Sequence, residues 1–161
     1  MSIFTSLVVD TIPVPGDPGQ TVTIRKLAPK HLKAAMTASQ RAALLEFVEL
    51  KRLGATEILT EIQALQADGA ALAAARTADP LLLYDRTVLL QKGIIGWSYD
   101  RSHDDVEALE DLDDDASEAI ARAILRLTKP SLFAAADAGA TEPAAVTAAT
   151  TAAEEAARKN G

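Results

Sequence analysis

The sequence predicts a mainly α-helical domain of about five helices, with a β-hairpin before it and an alanine-rich appendage after it. Three observations carry this fold class. From Pro29 onward, apolar residues recur at helical spacing between recognisable start and stop signals. Before Pro29, two stretches rich in β-branched residues flank a cluster of turn formers. After Phe133 the composition shifts to alanine, threonine and glutamate, with no apolar side chain larger than Val146. The expected organisation is a hairpin over 1–28 packed on the helices, a helical core domain over 29–133, and a tail over 134–161 that is disordered or loosely helical.

Ile3 to Ile12 and Thr21 to Leu27 read as the two strands, and Thr21, Val22, Thr23, Ile24 and Arg25 alternate in character. The run Pro13-Val14-Pro15-Gly16-Asp17-Pro18-Gly19-Gln20 between them can continue neither strand. A two-stranded hairpin is marginal alone, so its apolar face must lie on helices or join another sheet. Its edge is either capped by the chain's own loops or open to a partner's strand.

Pro29 suits a first helical turn, and Leu32, Met36, Ala43, Phe47 and Leu50 give helical spacing up to a stop at Gly54. The start of this helix is basic. Arg25, Lys26, Lys30, His31 and Lys33 crowd it, Arg41 follows, and the first acidic residue is Glu46. Cations there oppose the helix dipole by roughly 0.3–1 kcal/mol each. Solvent screening, the chain's own acidic stretch, or an acidic surface on another protein could offset that cost.

A second helix is predicted from Thr56 to about Ala75, interrupted softly at Gly69, with alanines that leave its surface thin. Asp79-Pro80 starts a third, through Leu81, Tyr84, Val88 and Leu89 to Gly93. Ile94, Ile95, Trp97 and Tyr99 follow as a short extended or looped segment, and Trp97 is its large anchor, either in the core or at an interface. Ser102 with Asp105 resembles a capping box that opens a short helix carrying Val106, Leu109 and Leu112 inward. Asp113 then caps a last core helix to about Leu127, stopped by Lys129-Pro130. In the tail, Pro143 to Lys159 could form a loose helix.

Composition excludes several function classes. The 161 residues contain no cysteine, which rules out disulfide frameworks and cysteine-ligated metals. A net charge of −7 argues against nonspecific nucleic-acid binding, which needs clustered cations. No apolar run approaches the roughly 20 residues that span a bilayer, and the amino end lacks the basic region of a signal peptide. Neither nucleic acid nor membrane is therefore an expected partner, and the host cytoplasm is the expected location.

Catalytic patterns fail one by one. Asp111, Asp113 and Asp115 begin like a calcium loop, but Ala116 and Arg122 stand where glycine and the closing glutamate are needed. Gly96-Trp97-Ser98-Tyr99-Asp100 begins like a nucleophile elbow and lacks its last glycine. Ser102, His103 and Asp104 are adjacent in sequence, which is not the geometry of a triad, and His31 and His103 have no metal-ligand spacing. The expectation is a protein without catalytic residues, cofactor or metal.

Nine carboxylates lie between Asp104 and Glu118 with no lysine or arginine among them. Their position, with the motifs around them, carries a family resemblance. The segments PVPGDPGQTVTIRKL, LLLYDRTVLLQKGIIGWSYD, DVEALEDLDDD and AIARAILRLTKPS, in that order over residues 1–133, resemble the tail assembly chaperones of long-tailed bacteriophages. The resemblance implies a non-enzymatic protein that keeps the tape measure protein soluble, helps recruit tail tube subunits and leaves before the tail is finished. It also implies a second, longer form made by ribosomal frameshifting. Lys159-Asn160 near the terminus is compatible with a slippery AAA-AAC run.

The candidate partner-binding residues are Arg25, Lys26, Lys30 and Lys33 on a basic side and Asp111, Asp113, Asp114 and Asp115 on an acidic side, which also suit self-association. The alternative is a structural tail or head–tail connector protein retained in the virion.

Overall fold

A computed structural model of the chain describes residues 8–134. The hairpin strands are β1, Val9–Pro13, and β2, Thr21–Arg25, paired antiparallel with Val9 opposite Arg25 and Pro13 opposite Thr21. A third strand, β3, Ile94–Trp97, pairs antiparallel with the other side of β2, so the order is β1-β2-β3 and the hairpin is part of a larger sheet. This settles the extended-or-looped alternative for the Ile94–Trp97 segment. β2 is central, and its alternation has a direct consequence: Val22 and Ile24 are fully buried, while Thr21, Thr23 and Arg25 point the other way.

The apolar face of the sheet lies on α6, Asp114–Thr128, the core helix. Ile120, Ala121, Ile124 and Leu125 on its inner face are fully buried, at the spacing that a 3.6-residue period demands. Asp113 caps its first turn by accepting from the Asp115 N–H, as the sequence reading expects. A second tie comes from Thr128, whose hydroxyl accepts the Leu27 N–H at 3.0 Å just past β2.

Packed against α6 is α4, Arg86–Gly93, and its last residue sits directly on Ile124. A Cβ placed on Gly93 would come within 2.5 Å of Ile124 Cδ1 and 2.8 Å of its Cγ1 and Cγ2. Glycine is thus what allows the two helices to approach.

Three boundaries differ from the sequence reading. The helix expected from Pro80 to Gly93 is a 3-10 turn, Pro80–Leu83, followed by α4, because Asp85 takes a cap of its own from the Val88 N–H. The helix expected from Thr56 to Ala75 is split into α2, Thr56–Ala67, and α3, Gly69–Ala78, because Asp68 caps α3 through the Ala71 N–H. The Ser102 capping box does not form: Asp105 is the N-cap of α5, Val106–Glu110, and accepts from the Glu107 N–H. In the first two cases an aspartate that could bond its neighbours locally wins over continued helix. α5 turns Ala108 and Leu109 inward but leaves Val106 exposed, contrary to expectation.

The largest departure concerns α1, Pro29–Arg52. Leu32 and Ala35 meet the core, yet beyond Ala35 no described side chain of α1, α2 or α3 is buried. The expected inward row ends there, with Met36 and Ala43 exposed and Phe47 and Leu50 half-exposed. α1 and α2 form a helical hairpin, closed at Gly54 in the left-handed conformation that ends helices (φ 69°). α3 returns the chain to the core. Its root is fixed where Arg122 of α6 grips Asp79 with two bonds of 2.9 Å.

No helix of the described residues is long and apolar enough to cross a membrane. The tail over 135–161, with the expected helix from Pro143 and the Lys159-Asn160 terminus, and the first part of the opening strand lie outside the described residues.

Because Ile124 is fully buried, Gly93→Ala should cost about 1–3 kcal/mol of unfolding free energy by overpacking. Urea titrations of G93A, I124V and the double variant check this, and I124V should relieve part of the loss in the double-mutant cycle.

Candidate functional site

The structure sorts the sequence-nominated residues into two groups at opposite ends of α6. The acidic group is at its start. Asp111 and Asp113 line a cleft of about 540 Å³ with Asp17, Asp100, Trp97 and Leu112. Asp114 and Asp115 lie on the exposed first turn of α6 just beyond. Trp97 is half-buried at the edge of the core, so it is neither a central core residue nor a free surface residue. Its Nε1 donates to the Arg101 carbonyl at 2.5 Å, and Tyr99 and His103 stand edge-on to its ring at 5.5 and 6.5 Å. The Tyr99 hydroxyl donates to Asp17 at 2.9 Å; burial, with Asp17 beside it, raises the pKa of the phenol.

The acidic run is partly neutralised by local arginines. Arg101 binds Asp111 at 2.5 Å and lies 3.6 Å from Asp105, and Arg86 binds Asp114 at 2.5 Å. Arg86 also donates to Ser117 at 2.9 Å, which satisfies a buried hydroxyl. Among the described residues, none of the ion pairs joins the basic cluster around 25–33 to this stretch.

The basic group is at the other end of α6, which is 15 residues and so about 22 Å long. Lys26 and Lys33, with Lys129 from the end of α6, rim a groove of about 590 Å³. Its floor is apolar, made by Leu27, Leu32, Met36 and Tyr84. Lys30 lies one turn away and, with Lys33 and Arg41, lines a shallower neighbouring surface. Arg25 is separate from these: its Nε donates to the Lys92 carbonyl at 2.8 Å, which fixes the junction of α4 with the sheet. Lys129 was not apparent from the sequence as part of this group, because it reaches the groove only through the packing of α6 on β2.

His31 registers the local field. Burial, and then the neighbouring Lys30, Arg25 and Lys92, hold its pKa below the usual histidine value. At the arm's root, burial pushes the Asp79 carboxyl up, but hydrogen bonds from Arg122 and the Leu81 N–H outweigh it and leave its pKa lowered.

A third surface has no counterpart among the sequence-nominated residues. Along the α1–α2 hairpin, Leu44, Leu45, Val48, Leu53, Ile58 and Leu65 are between 48% and 67% exposed. Leu44, Leu45 and Val48 share a face of α1 by i, i+3 and i+4 spacing, and Ile58 and Leu65 share a face of α2. Six such side chains leave on the order of 500 Å² of apolar surface uncovered along the hairpin. The signal in the sequence was an excess: Leu44, Leu45, Phe47, Val48, Leu50 and Leu53 are more apolar residues than one inward stripe of a helix can use.

The chain matches no protein-family model, no curated protein and no solved structure.

The depressed pKa of His31 carries a sign. Folding favours the neutral ring, so its contribution to stability is present above the unfolded value, near 6.5, and is lost as the pH falls from there through the lower folded value. The drop in urea midpoint from pH 7.5 to pH 5.5 should therefore be smaller in H31Q than in the parent chain, with the m-value unchanged.

Proposed function

We propose that this chain is a non-enzymatic tail assembly chaperone of a long-tailed bacteriophage, acting in the host cytoplasm on the tape measure protein. The observation that carries the reading is the uncovered apolar surface of the α1–α2 arm, with Leu44, Leu45, Val48, Leu53, Ile58 and Leu65 exposed. A long, apolar, helical client precipitates unless its stripes are covered. A thin helical hairpin displaying aliphatic rows at helical spacing supplies such cover in the helix-against-helix mode, with little demand on client sequence.

Two further features support it. The arm has no core of its own, so the rows are available without unfolding anything. The rest of the domain is held independently by α6, α4 and the sheet, so client can be bound and released on a rigid base. The recruitment of tail tube subunits and the longer frameshifted form rest on the family resemblance alone.

The test is co-expression with the tape measure protein encoded beside it. A tape measure that precipitates alone should become soluble and co-elute with this chain. L45E/V48E should abolish that rescue by at least about tenfold in soluble client, since two charges opposite an apolar stripe cost several kcal/mol of binding. Its melting temperature should stay within a few degrees of the parent, since both side chains are exposed. Purified virions should lack the chain; its presence there in fixed copy number would instead mark a retained connector.

A further inference from the structure

The outward face of α1 changes character along its length. At about 100° per residue, Lys30, Lys33, Arg41, Leu44, Leu45 and Val48 fall within roughly 120° of one another around the helix. All six are exposed. Leu32 and Ala35, which meet the core, point the opposite way. The first half of this face is cationic, with the small side chains of Ala34 and Thr37 between its charges. The second half is aliphatic. Both acidic residues of α1, Glu46 and Glu49, lie off it.

We propose that α1 fixes the direction of its client: it takes a client helix that is aliphatic over one half and acidic over the other, with the carboxylates laid on Lys30, Lys33 and Arg41. The proposal rests on the client-binding reading and adds the charge and polarity of the segment bound. Charge complementarity commits the occupant to an acidic one. Among the described residues no ion pair involves these cations. The two lysines also stand in the first turns of α1, where they oppose its dipole, so the stability of the helix does not account for them.

Ala34 and Thr37 keep the surface between the cations shallow, so that a client backbone can come close and bring its carboxylates to them. From Lys30 to Val48 the face is about 27 Å long, the length of a helix of about 18 residues. A face that is charged at one end and apolar at the other has one favourable direction. Reversing the client lays its carboxylates on Leu44, Leu45 and Val48 and its aliphatic side chains on the cations. An anionic membrane is the poorer occupant, because a helix lies in a bilayer surface through an apolar face that continues along its length.

The probes are fluorescein-labelled helical peptides of about 18 residues, with leucines at helical spacing in one half and glutamates on the same face of the other. One control has glutamine for every glutamate; a second has the same composition with leucines and glutamates interspersed. Fluorescence anisotropy with the full chain at low salt should show the segregated glutamate peptide bound at least about tenfold more tightly than either control, and about 0.5 M salt should shrink that margin. K30E/K33E/R41E should lose the preference and bind most tightly a segregated peptide with lysine for glutamate. Its melting temperature should stay level or rise, because acidic residues in the first turns suit the dipole that the lysines oppose. Equal binding of the glutamate and glutamine peptides, or of the segregated and interspersed ones, overturns the proposal and leaves the apolar arm as a client surface. Binding of none of them overturns both. Retention of the parent on phosphatidylglycerol vesicles, lost in K30E/K33E/R41E and without any preference among the peptides, overturns the proposal in favour of a membrane.

Discussion

The close approach of α4 and α6 at Gly93 and Ile124 is the contact on which the other features of the domain depend. The missing Cβ lets the end of α4 lie on a fully buried isoleucine, and the residue after that glycine begins β3. The same contact therefore packs two helices and delivers a strand to the open side of β2. Without β3, the hairpin would be a two-stranded ribbon with one face to cover and little to hold it. With it, Val22 and Ile24 become the centre of a sheet laid on α6, and Trp97 is brought against Tyr99 and the loop that leads to α5. The glycine thus sets the position of the acidic end as well as of the core.

Burial stops at Ala35 in α1, and that sharp limit divides the molecule by the physics that holds it. The core rests on aliphatic side chains closed from water; the arm rests on alanine-rich helix propensity, the Asp68 cap of α3 and the turn at Gly54. Helices stabilised in that way are marginal in isolation. The grip of Arg122 on Asp79, and the Asp85 N–H bonded at 2.9 Å to the Ala35 carbonyl, fix the two ends of the arm to the core. An element secured at its roots and uncovered along its length can take up a partner without disturbing the body that carries it.

Much of this was legible in the sequence, and the parts that were not share a cause. The helical class, β1 and β2, the capped α6 and the opposed charge clusters follow from local patterns: alternation, caps and the spacing of apolar residues. β3 is ambiguous between strand and loop from sequence because Ile94–Trp97 is only four residues long and its partner lies about seventy residues earlier. The breaks at Asp68 and Asp85 were missed because propensity favours one long helix and only a local cap decides otherwise. The exposed arm was missed for a deeper reason. Helical periodicity shows that a stripe exists and not how fully anything covers it, so Phe47 and Leu50 read as core when the fold buries them only in part. The structure places the acidic residues and most of the basic ones at opposite ends of α6, but Arg25 belongs to the α4–sheet junction, and Lys129 joins the groove only through tertiary packing.

The two charged ends are not equivalent in what they cost. Asp113, Asp114 and Asp115 sit at the N-terminus of α6, and Lys129 follows its C-terminus, where each complements the helix dipole. The acidic end would thus be favoured by helix stability alone, and needs no partner to account for it. Lys30 and Lys33 are different. They occupy the first turns of α1, which carries no acidic residue there and no side-chain cap, so they oppose the dipole of their own helix. Lys30 also adds to the burial that lowers the pKa of His31, a further cost as the pH falls. No contact inside the described fold offsets these terms. The basic rim of the groove is thus charge that the stability of its own helix does not explain.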